Sequence, residues 1–452
     1  MKLQFLGATQ TVTGSKFLVT QRNKHLLVDC GLFQGLKAFR LKNWIPFPVN
    51  PRQLETILLT HAHIDHSGYL PLLVKNGFRG TVYTTAATRA LCEILLPDAG
   101  HIQEEDALFA NKHRFSKHHP ALPLYTEEDA RRSLEYFKPV PWGKKVSLGR
   151  DLSFVFHPAG HILGASLVQL SASGVLVTFS GDLGKPNSLL MSPPKSIPKT
   201  DYLVVESTYG NRTHPKENPE ETLKTIIHKT IKRGGTLIIP AFAVGRVQEV
   251  LLLLARLRKK KAIPNVPIYL NSPMAVEATR TVQLFQKEMS LSVEEAAMIA
   301  QTASFVTTVE ESKKLNSLLF PSIIISASGM ATGGRILHHL KSLAPNHRNT
   351  ILFAGFQAAG TRGEALVGGA KQIKIHGLLV PVRAEVRILD SLSAHADQEG
   401  ILSWLRHFTK APRQTFIVHG EPLAADTLRK RIEEELHWKC HIPDYGESVD
   451  LN

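Results

Sequence analysis

The chain has 452 residues, of which 43% are hydrophobic and 7% aromatic, and this excludes a disordered polymer and leaves room for sizeable buried cores. Three cysteines (Cys30, Cys92 and Cys440) are too few and too dispersed for a disulfide framework or a thiolate zinc knuckle. Apolar runs such as Val250–Ala255 are far too short to span a bilayer. The N-terminus has no signal pattern, so a cytoplasmic protein is expected, and a net charge of +15 points to a polyanionic partner.

In chain order, Lys2–Leu6 begins as a strand. Short strands punctuated by Gly and Pro follow at Phe17–Thr20, Leu26–Val28, Thr56–Leu59, Leu152–Phe156 and Val175–Phe179. Helical patterns open at Ser67–Leu73 and recur over Thr88–Leu96. From about residue 208 the rhythm becomes strand–helix alternation. Asn218-Pro219-Glu220-Glu221 starts a helix with a capping residue, a first-turn proline and acids, and Lys232-Arg233-Gly234-Gly235 stops it. A strand at Thr236–Pro240, a helix from Gly245 to Arg258, a strand at Pro267–Leu270 and a helix from Ser272 follow. Strands at Ser322–Ser326 and Thr350–Ala354 continue the alternation, which predicts a mostly parallel wound sheet. After about residue 380 strand-like pieces resume and end at Gln414–Val418. Basic residues thicken at Lys112-His113-Arg114 with Lys117-His118-His119, and at Arg256–Lys261, where they also complement a helix dipole.

The chemistry concentrates in Thr60-His61-Ala62-His63-Ile64-Asp65-His66, between a buried strand and a helix start. Four potential ligands so closely spaced cannot share one face of a strand or helix, but a tight loop at a strand end can fan them toward two neighbouring cations. Further ligand-type residues follow predicted strands: His161 in Pro158–Gly164, Asp182 in Phe179–Gly184, and His419 after Phe416–Val418. Each taken singly reads as a capped turn or a hydrogen-bonded loop residue. Together they supply enough groups for two zinc ions (Zn2+) bridged by one carboxylate and one water, an arrangement suited to phosphodiester hydrolysis.

These motifs resemble those of metallo-β-lactamase-fold nucleases of the β-CASP group, which includes the endonuclease of the eukaryotic pre-mRNA 3′-cleavage machinery and related prokaryotic ribonucleases. The resemblance covers essentially the whole chain. It rests on Asp29 in Leu27–Gly31, His61–His66, His161 and Asp182, and on the β-CASP additions Glu206 in Val204–Gly210, His395 in Ser393–Asp397, and His419. It implies an α/β fold in which an αββα metallo-β-lactamase sandwich is formed by residues 1–207 and 383–452. A β-CASP domain, a mostly parallel wound sheet flanked by helices, is inserted at residues 208–382. It further implies one zinc held by His61, His63 and His161, and a second held by Asp65, His66 and His419, with Asp182 bridging and Asp29 orienting the histidine loop. His395 would protonate the departing ribose oxygen, kept basic by Glu206, and metal-bound hydroxide would leave a 5′-phosphate and a 3′-hydroxyl.

Three loops of the inserted domain resemble segments that line the RNA channel of this group, although ordinary strand-to-helix turns remain the alternative for each. They are Pro240–Arg246 with Arg246; Ser326–Arg335 with Ser328, Gly329, Gly333, Gly334 and Arg335; and Gly355–Gly363 with Thr361 and Arg362. Glu364 stands where relatives often have arginine, which removes one expected phosphate contact unless Arg362 compensates. A site set between two domains admits a single strand more readily than a duplex, so single-stranded RNA is the expected partner. The resemblance also admits a homodimer and implies no membrane. No RNA-binding module is read before Met1–Gln4 or after the Tyr445-Gly446 turn, which likens the chain to compact bacterial members and favours endonucleolytic action. A DNA nuclease or 5′ exonuclease on the same site stays open. So do a catalytically inactive RNA-binding scaffold and a small-molecule metallohydrolase, the last two opposed by the full ligand set and the basic charge.

Overall fold

Runs of β-branched and aromatic residues build three large sheets, seen in a computed structural model that describes residues 1–114, 116–355 and 357–452. Phe356, in the third small-residue loop, lies outside the described residues. The chain divides into two units. One is formed by Met1–Ser188, Ser192–Thr213 and His395–Asn452, the other by Leu189–Met191 and His214–Ala394.

The first unit holds two seven-stranded sheets. One runs, in spatial order, Ser448–Asp450, Lys2–Phe5, Phe17–Gln21, Lys24–Val28, Leu54–Leu58, Thr81–Thr84 and Phe137–Pro139. The other runs Cys440–His441, Gln414–Val418, Tyr202–Glu206, Val175–Phe179, Ser166–Ala172, Leu152–Pro158 and Val146–Gly149. Their inner faces share one core, and aromatic rings meet across it: Phe5 to Phe416 at 5.1 Å between centroids and Phe17 to Phe179 at 5.9 Å. The helix Ala86–His113 packs against the first sheet and Pro422–Leu436 against the second, which gives the αββα layering.

Strand order, more than any single residue, brings the ligand-bearing loops together. Lys24–Val28 and Leu54–Leu58 are parallel neighbours, so Asp29 and the histidine loop emerge from the same edge of the first sheet. Val175–Phe179, Tyr202–Glu206 and Gln414–Val418 are likewise parallel, and their carboxyl ends bring Asp182, Glu206 and His419 to one edge of the second.

The second unit is built on six parallel strands in the order Ser304–Phe305, Ile268–Leu270, Ile323–Ser326, Leu237–Pro240, Thr350–Phe353 and Glu385–Ile388. Its central strands read as unbroken apolar runs because both faces are covered, and Ile323, Ile324 and Ile325 are each fully buried. The Asn218 side chain accepts from the Glu220 backbone at 2.9 Å and starts the helix Pro219–Lys232 as its capping chemistry predicts. An antiparallel hairpin, Gln372–Ile375 with Leu378–Pro381, stands apart from the sheet.

Two expectations change, and one basic run proves to be matched internally. The helix over Thr88–Leu96 extends to His113 and contains Pro97, because its polar second half packs locally: Glu127 donates its backbone N–H to Glu104 at 2.8 Å, and Gly100 leaves room for the backbone of Thr126 and Glu127. The segment after residue 380 holds the helices Gln398–Leu405 and Pro422–Leu436 as well as strands. The basic run Arg256–Lys261 is largely spoken for within its own unit: Arg256 pairs with Glu295, Lys259 with Glu294, and Lys260 with Glu220. Among the described residues no helix is long and apolar enough to cross a membrane.

Gly31 is where the fold leaves least room. A Cβ there would lie 1.6 Å from the Asp65 carbonyl oxygen. Gly31→Ala is therefore expected to destabilise the first unit by on the order of 3 kcal/mol in urea unfolding. A change within about 0.5 kcal/mol would show that the loop yields freely.

Candidate metal centre

Short hydrogen bonds clamp the histidine loop to the strand end that carries Asp29. The Cys30 backbone donates to the His66 carbonyl at 2.7 Å, Leu32 to Ile64 at 2.9 Å, and Ser15 to Asp65 at 2.9 Å. Asp65 and His66 lie in the helical turn Ile64–Ser67, so the helix begins inside the ligand loop and not after it. Asp29 is fully buried and sits in the left-handed region at φ 58°, a conformation that asparagine and aspartate tolerate better than other side-chain-bearing residues. Its carboxylate accepts from the Thr60 backbone at 2.8 Å, the Thr60 hydroxyl at 2.9 Å and His66 Nδ1 at 2.8 Å. With the Thr60 hydroxyl donating to Asp29, its oxygen accepts from His61 Nδ1 at 3.0 Å. Both rings therefore turn Nε2 away from Asp29.

The remaining donors close around those nitrogens. His61 Nε2 lies 3.2 Å from His63 Nδ1, and His161 Nε2 lies 3.3 Å from the same atom. Asp182 Oδ2 approaches His61 Nε2 at 3.3 Å and His161 Nε2 at 3.4 Å, while its Oδ1 approaches His66 Nε2 at 3.2 Å. His66 Nε2 and His419 Nε2 are 3.1 Å apart, and Asp65 Oδ2 is 3.4 Å from His419 Nε2. His419, at φ 50°, is held by its backbone N–H on the Ala8 carbonyl at 2.7 Å and by Nδ1 on the Thr208 hydroxyl at 3.0 Å. Two donor sets result, His61, His63, His161 and Asp182 on one side and Asp65, His66 and His419 on the other. Within each, the ligand atoms lie within 4.8 Å of one another.

Electrostatics favour cations at both sets. Burial pushes His61 down to about 3 and His63 to about 4, and burial with the charge of His395 holds His161 well below the ordinary imidazole range. Three neutral rings thus aim lone pairs at one point, which hydrogen bonding alone cannot satisfy and a cation can. Burial works against charge on Asp182, yet His419, His66 and His61 keep it a carboxylate. Burial also opposes charge on His66, but Asp182 and Asp29 outweigh it and raise the ring well above its ordinary value, placing a proton where a cation would sit. Glu206 lies near Asp182 and His419, but its oxygens are already used. It is fully buried and accepts from the Leu183 backbone at 2.6 Å, the Thr208 backbone at 3.3 Å and His395 Nδ1 at 3.1 Å. The other ring nitrogen of His395 faces Asp182 Oδ2 at 3.9 Å.

Beside this centre lies a thiol that takes no part. Burial pushes Cys30 up to about 12, with the nearby charge of Asp29 adding to burial and that of Lys16 opposing it. Lys16 itself is buried, donates to the Gly31 carbonyl at 2.5 Å and sits over the rings of Phe33 and Tyr69.

The candidate substrate residues belong to the second unit, where their loops leave the carboxyl ends of three adjacent strands and are tied to one another. Arg246 is buried in an ion pair with Glu249. Arg335 donates to Asn271 at 2.9 Å and to the Thr307 carbonyl at 2.6 Å. Arg362 donates to the carbonyls of Lys374 at 2.7 Å, Ala331 at 3.3 Å and Thr332 at 3.2 Å. Ser328 and Thr332 hydroxyls are 2.9 Å apart, and a Cβ on Gly329 would lie 2.8 Å from the Phe242 backbone nitrogen. Gly333 has open space around it, and Gly334 caps the helix Arg335–Leu343 at φ 72°. Thr361 caps the Glu364 backbone at 3.2 Å, with the Glu364 side chain exposed. The sequence reading missed Thr60 and Thr208, the hydroxyls that fix the ring orientation of His61 and His419. Their one signal was position, Thr60 adjoining the first ligand and Thr208 closing the strand end of Glu206.

A cation bound to these buried donors stabilises the folded state alone. Chelation is therefore expected to lower Tm by several degrees in calorimetry, and identical melting with and without chelator would count against a metal centre.

Residues 12–264 match the family model described as the metallo-beta-lactamase superfamily, residues 247–366 the Beta-Casp domain, and residues 379–443 the Zn-dependent metallo-hydrolase RNA specificity domain. Ribonuclease TTHA0252 of Thermus thermophilus is 37% identical over 93% of each chain. Proteins named transcription termination factor FttA from Pyrococcus abyssi and Methanosarcina mazei are 31% and 30% identical over all of this chain and 71% and 72% of theirs. A crystal structure of a protein of unknown function from Enterococcus faecalis shares the fold, with a TM-score of 0.54 at 14% identity over 100% of this chain and 99% of that one. The chain belongs to the β-CASP group of metallo-β-lactamase-fold hydrolases.

Proposed function

We propose that this chain is a zinc-dependent ribonuclease that cuts single-stranded RNA internally. The observation that carries the reading is the meeting of two buried donor sets at Asp182, with the His395–Glu206 pair directly beside them. One zinc would be held by His61, His63 and His161, the other by Asp65, His66 and His419, with Asp182 between them. Mixed imidazole and carboxylate donors suit zinc, which when bound supplies Lewis acidity and an acidified water as nucleophile. RNA as substrate is supported by the match to an RNA specificity domain over 379–443, which contains His395 and His419, and by the ribonuclease among the relatives. Internal cutting follows from the resemblance to the group that includes the endonuclease of the pre-mRNA 3′-cleavage machinery.

The chain's own residues orient and move protons. Asp29 and Thr60 fix the rings of His61 and His66 so that Nε2 of each is the donor, and Thr208 does the same for His419. Glu206 accepts a hydrogen bond from His395 Nδ1–H, which leaves the Nε2 proton aimed toward the Asp182 side of the centre. From there it passes to the departing 3′ oxygen, giving a 5′-phosphate and a 3′-hydroxyl. Burial opposes charge on His395, yet Glu206 and then Asp182 outweigh it and raise the ring to about 9, so the acid is loaded at neutral pH. With Asp182 engaged by cations its contribution shrinks, and the value falls toward the working range of a general acid.

Zinc-loaded protein is expected to give discrete internal fragments from a 5′-labelled unstructured RNA on a sequencing gel, and Asp182→Ala to give none and to hold less zinc by elemental analysis. Release of single nucleotides would overturn the internal mode, and intact RNA in both lanes the ribonuclease reading. His395→Ala is expected to lower kcat by about 10²–10⁴ on ordinary RNA. It should lower kcat far less on a 3′-S-phosphorothiolate linkage, whose thiolate leaves without a proton. Equal losses on both substrates would remove His395 from the role of acid.

A further inference from the structure

We propose that the second unit carries a further phosphodiester-binding patch, formed by His338, Lys341, Arg362 and His376, that holds the RNA backbone at the tip of the hairpin Gln372–Ile375/Leu378–Pro381. The inference rests on the ribonuclease reading and adds a contact to it.

The hairpin turns on His376-Gly377, where Ile375 pairs with Leu378 and both turn residues have positive φ, 47° and 82°. Two-residue turns of this kind favour Asn and Gly, so a histidine here is held in a conformation its side chain does not favour. Its ring lies 4.8 Å from that of His338 on the helix Arg335–Leu343. Lys341 follows His338 by three positions on that helix, which places it on the same face. Arg362 completes the group, with Nε on the Lys374 carbonyl of the hairpin and Nη1 on the Ala331 and Thr332 carbonyls of the small-residue loop. The patch is thus continuous with the loop that carries Ser328 and Gly333.

Charge distinguishes this cluster from the others. Burial is the first influence lowering His376, and the remaining three are His338 and Lys341 from one helix and Arg362 from another. Among the described residues none of the four is in an ion pair, and His338, Lys341 and His376 are exposed. The run at Arg256–Lys261, by contrast, is matched with carboxylates of its own unit. Like charges gathered without a counter-charge repel, and successive phosphates of a strand relieve that repulsion with release of counterions. Two imidazoles make part of the attraction dependent on pH.

The test is fluorescence anisotropy with zinc-loaded protein and a fluorescein-labelled 20-nucleotide phosphorothioate oligouridylate, which keeps one charge per linkage and resists hydrolysis. Kd is followed against salt at pH 6 and pH 8. At pH 6 the double variant His338→Gln/His376→Gln is expected to lose a measurable part, at most about 1.4, of the slope of log Kd on log salt, since each fully charged phosphate contact contributes about 0.7 and His376 is lowered. Lys341→Gln is expected to lose about 0.7 at both pH values. At pH 8 the double variant should match the wild-type slope. Unchanged slopes at pH 6 with RNA still bound would overturn the patch and leave the ribonuclease reading standing. Equal loss at both pH values with a lowered Tm would also overturn it, by assigning the histidines a structural role. Wild-type protein that binds no RNA would overturn the patch and the ribonuclease reading together.

Discussion

The whole centre hangs on one buried carboxylate. Asp29 accepts from the Thr60 backbone, the Thr60 hydroxyl and His66, and through them it fixes the ring orientation of two histidines at once. A carboxylate taken fully out of water is costly unless every lone pair is used, and here the bonds that satisfy it also aim the ligands. The left-handed backbone at Asp29 belongs to the same device. It bends the chain sharply at the strand end, so that the loop Cys30–Leu32 can pair with the backbone of Ile64 and His66. With that pairing in place, the spacing of the histidine loop becomes a fan of donors. Without it, the same residues would be a polar loop.

Two parallel strand edges supply everything else, which explains why ligands far apart in sequence meet. Asp182 and His419 follow, and Glu206 ends, the strands of one parallel trio, so the distance between them is set by strand spacing and not by loop length. The backbone of Gly184 crosses that of Gly160 too closely for any Cβ, locking the His161 loop to the Asp182 loop. The precision of the centre is therefore a property of the sheets and of a few tight crossings.

What the sequence displayed, and what it hid, follows from the range of the interactions involved. The histidine loop was legible because its residues are uncommon and closely spaced. The strands were legible because burial on one or both faces leaves a periodic or unbroken apolar trace. The second half of Ala86–His113 was hidden because it is held by polar and close backbone contacts to the segment around Glu127, and such contacts leave no stripe. Thr60 and Thr208 were hidden because a hydroxyl beside a ligand looks like any other threonine until its partner is known. Charge misled most. Arg246, Arg335 and Arg362 read as phosphate contacts, yet each is also an internal tie, and the strongest basic run is matched by acids that lie distant in sequence.

The Cys30 thiol has a consequence for the working life of the molecule. A cysteine adjoining a cluster of imidazole and carboxylate donors would ordinarily compete for soft metals and invite sulfenic acid under peroxide, since the thiolate is the reactive form. Burial, with the carboxylate of Asp29 alongside, keeps this one protonated, so its sulfur behaves as a small apolar filler. The sulfur is thereby withheld from metal exchange and oxidation, and selectivity among metals is left to the imidazole and carboxylate donors themselves.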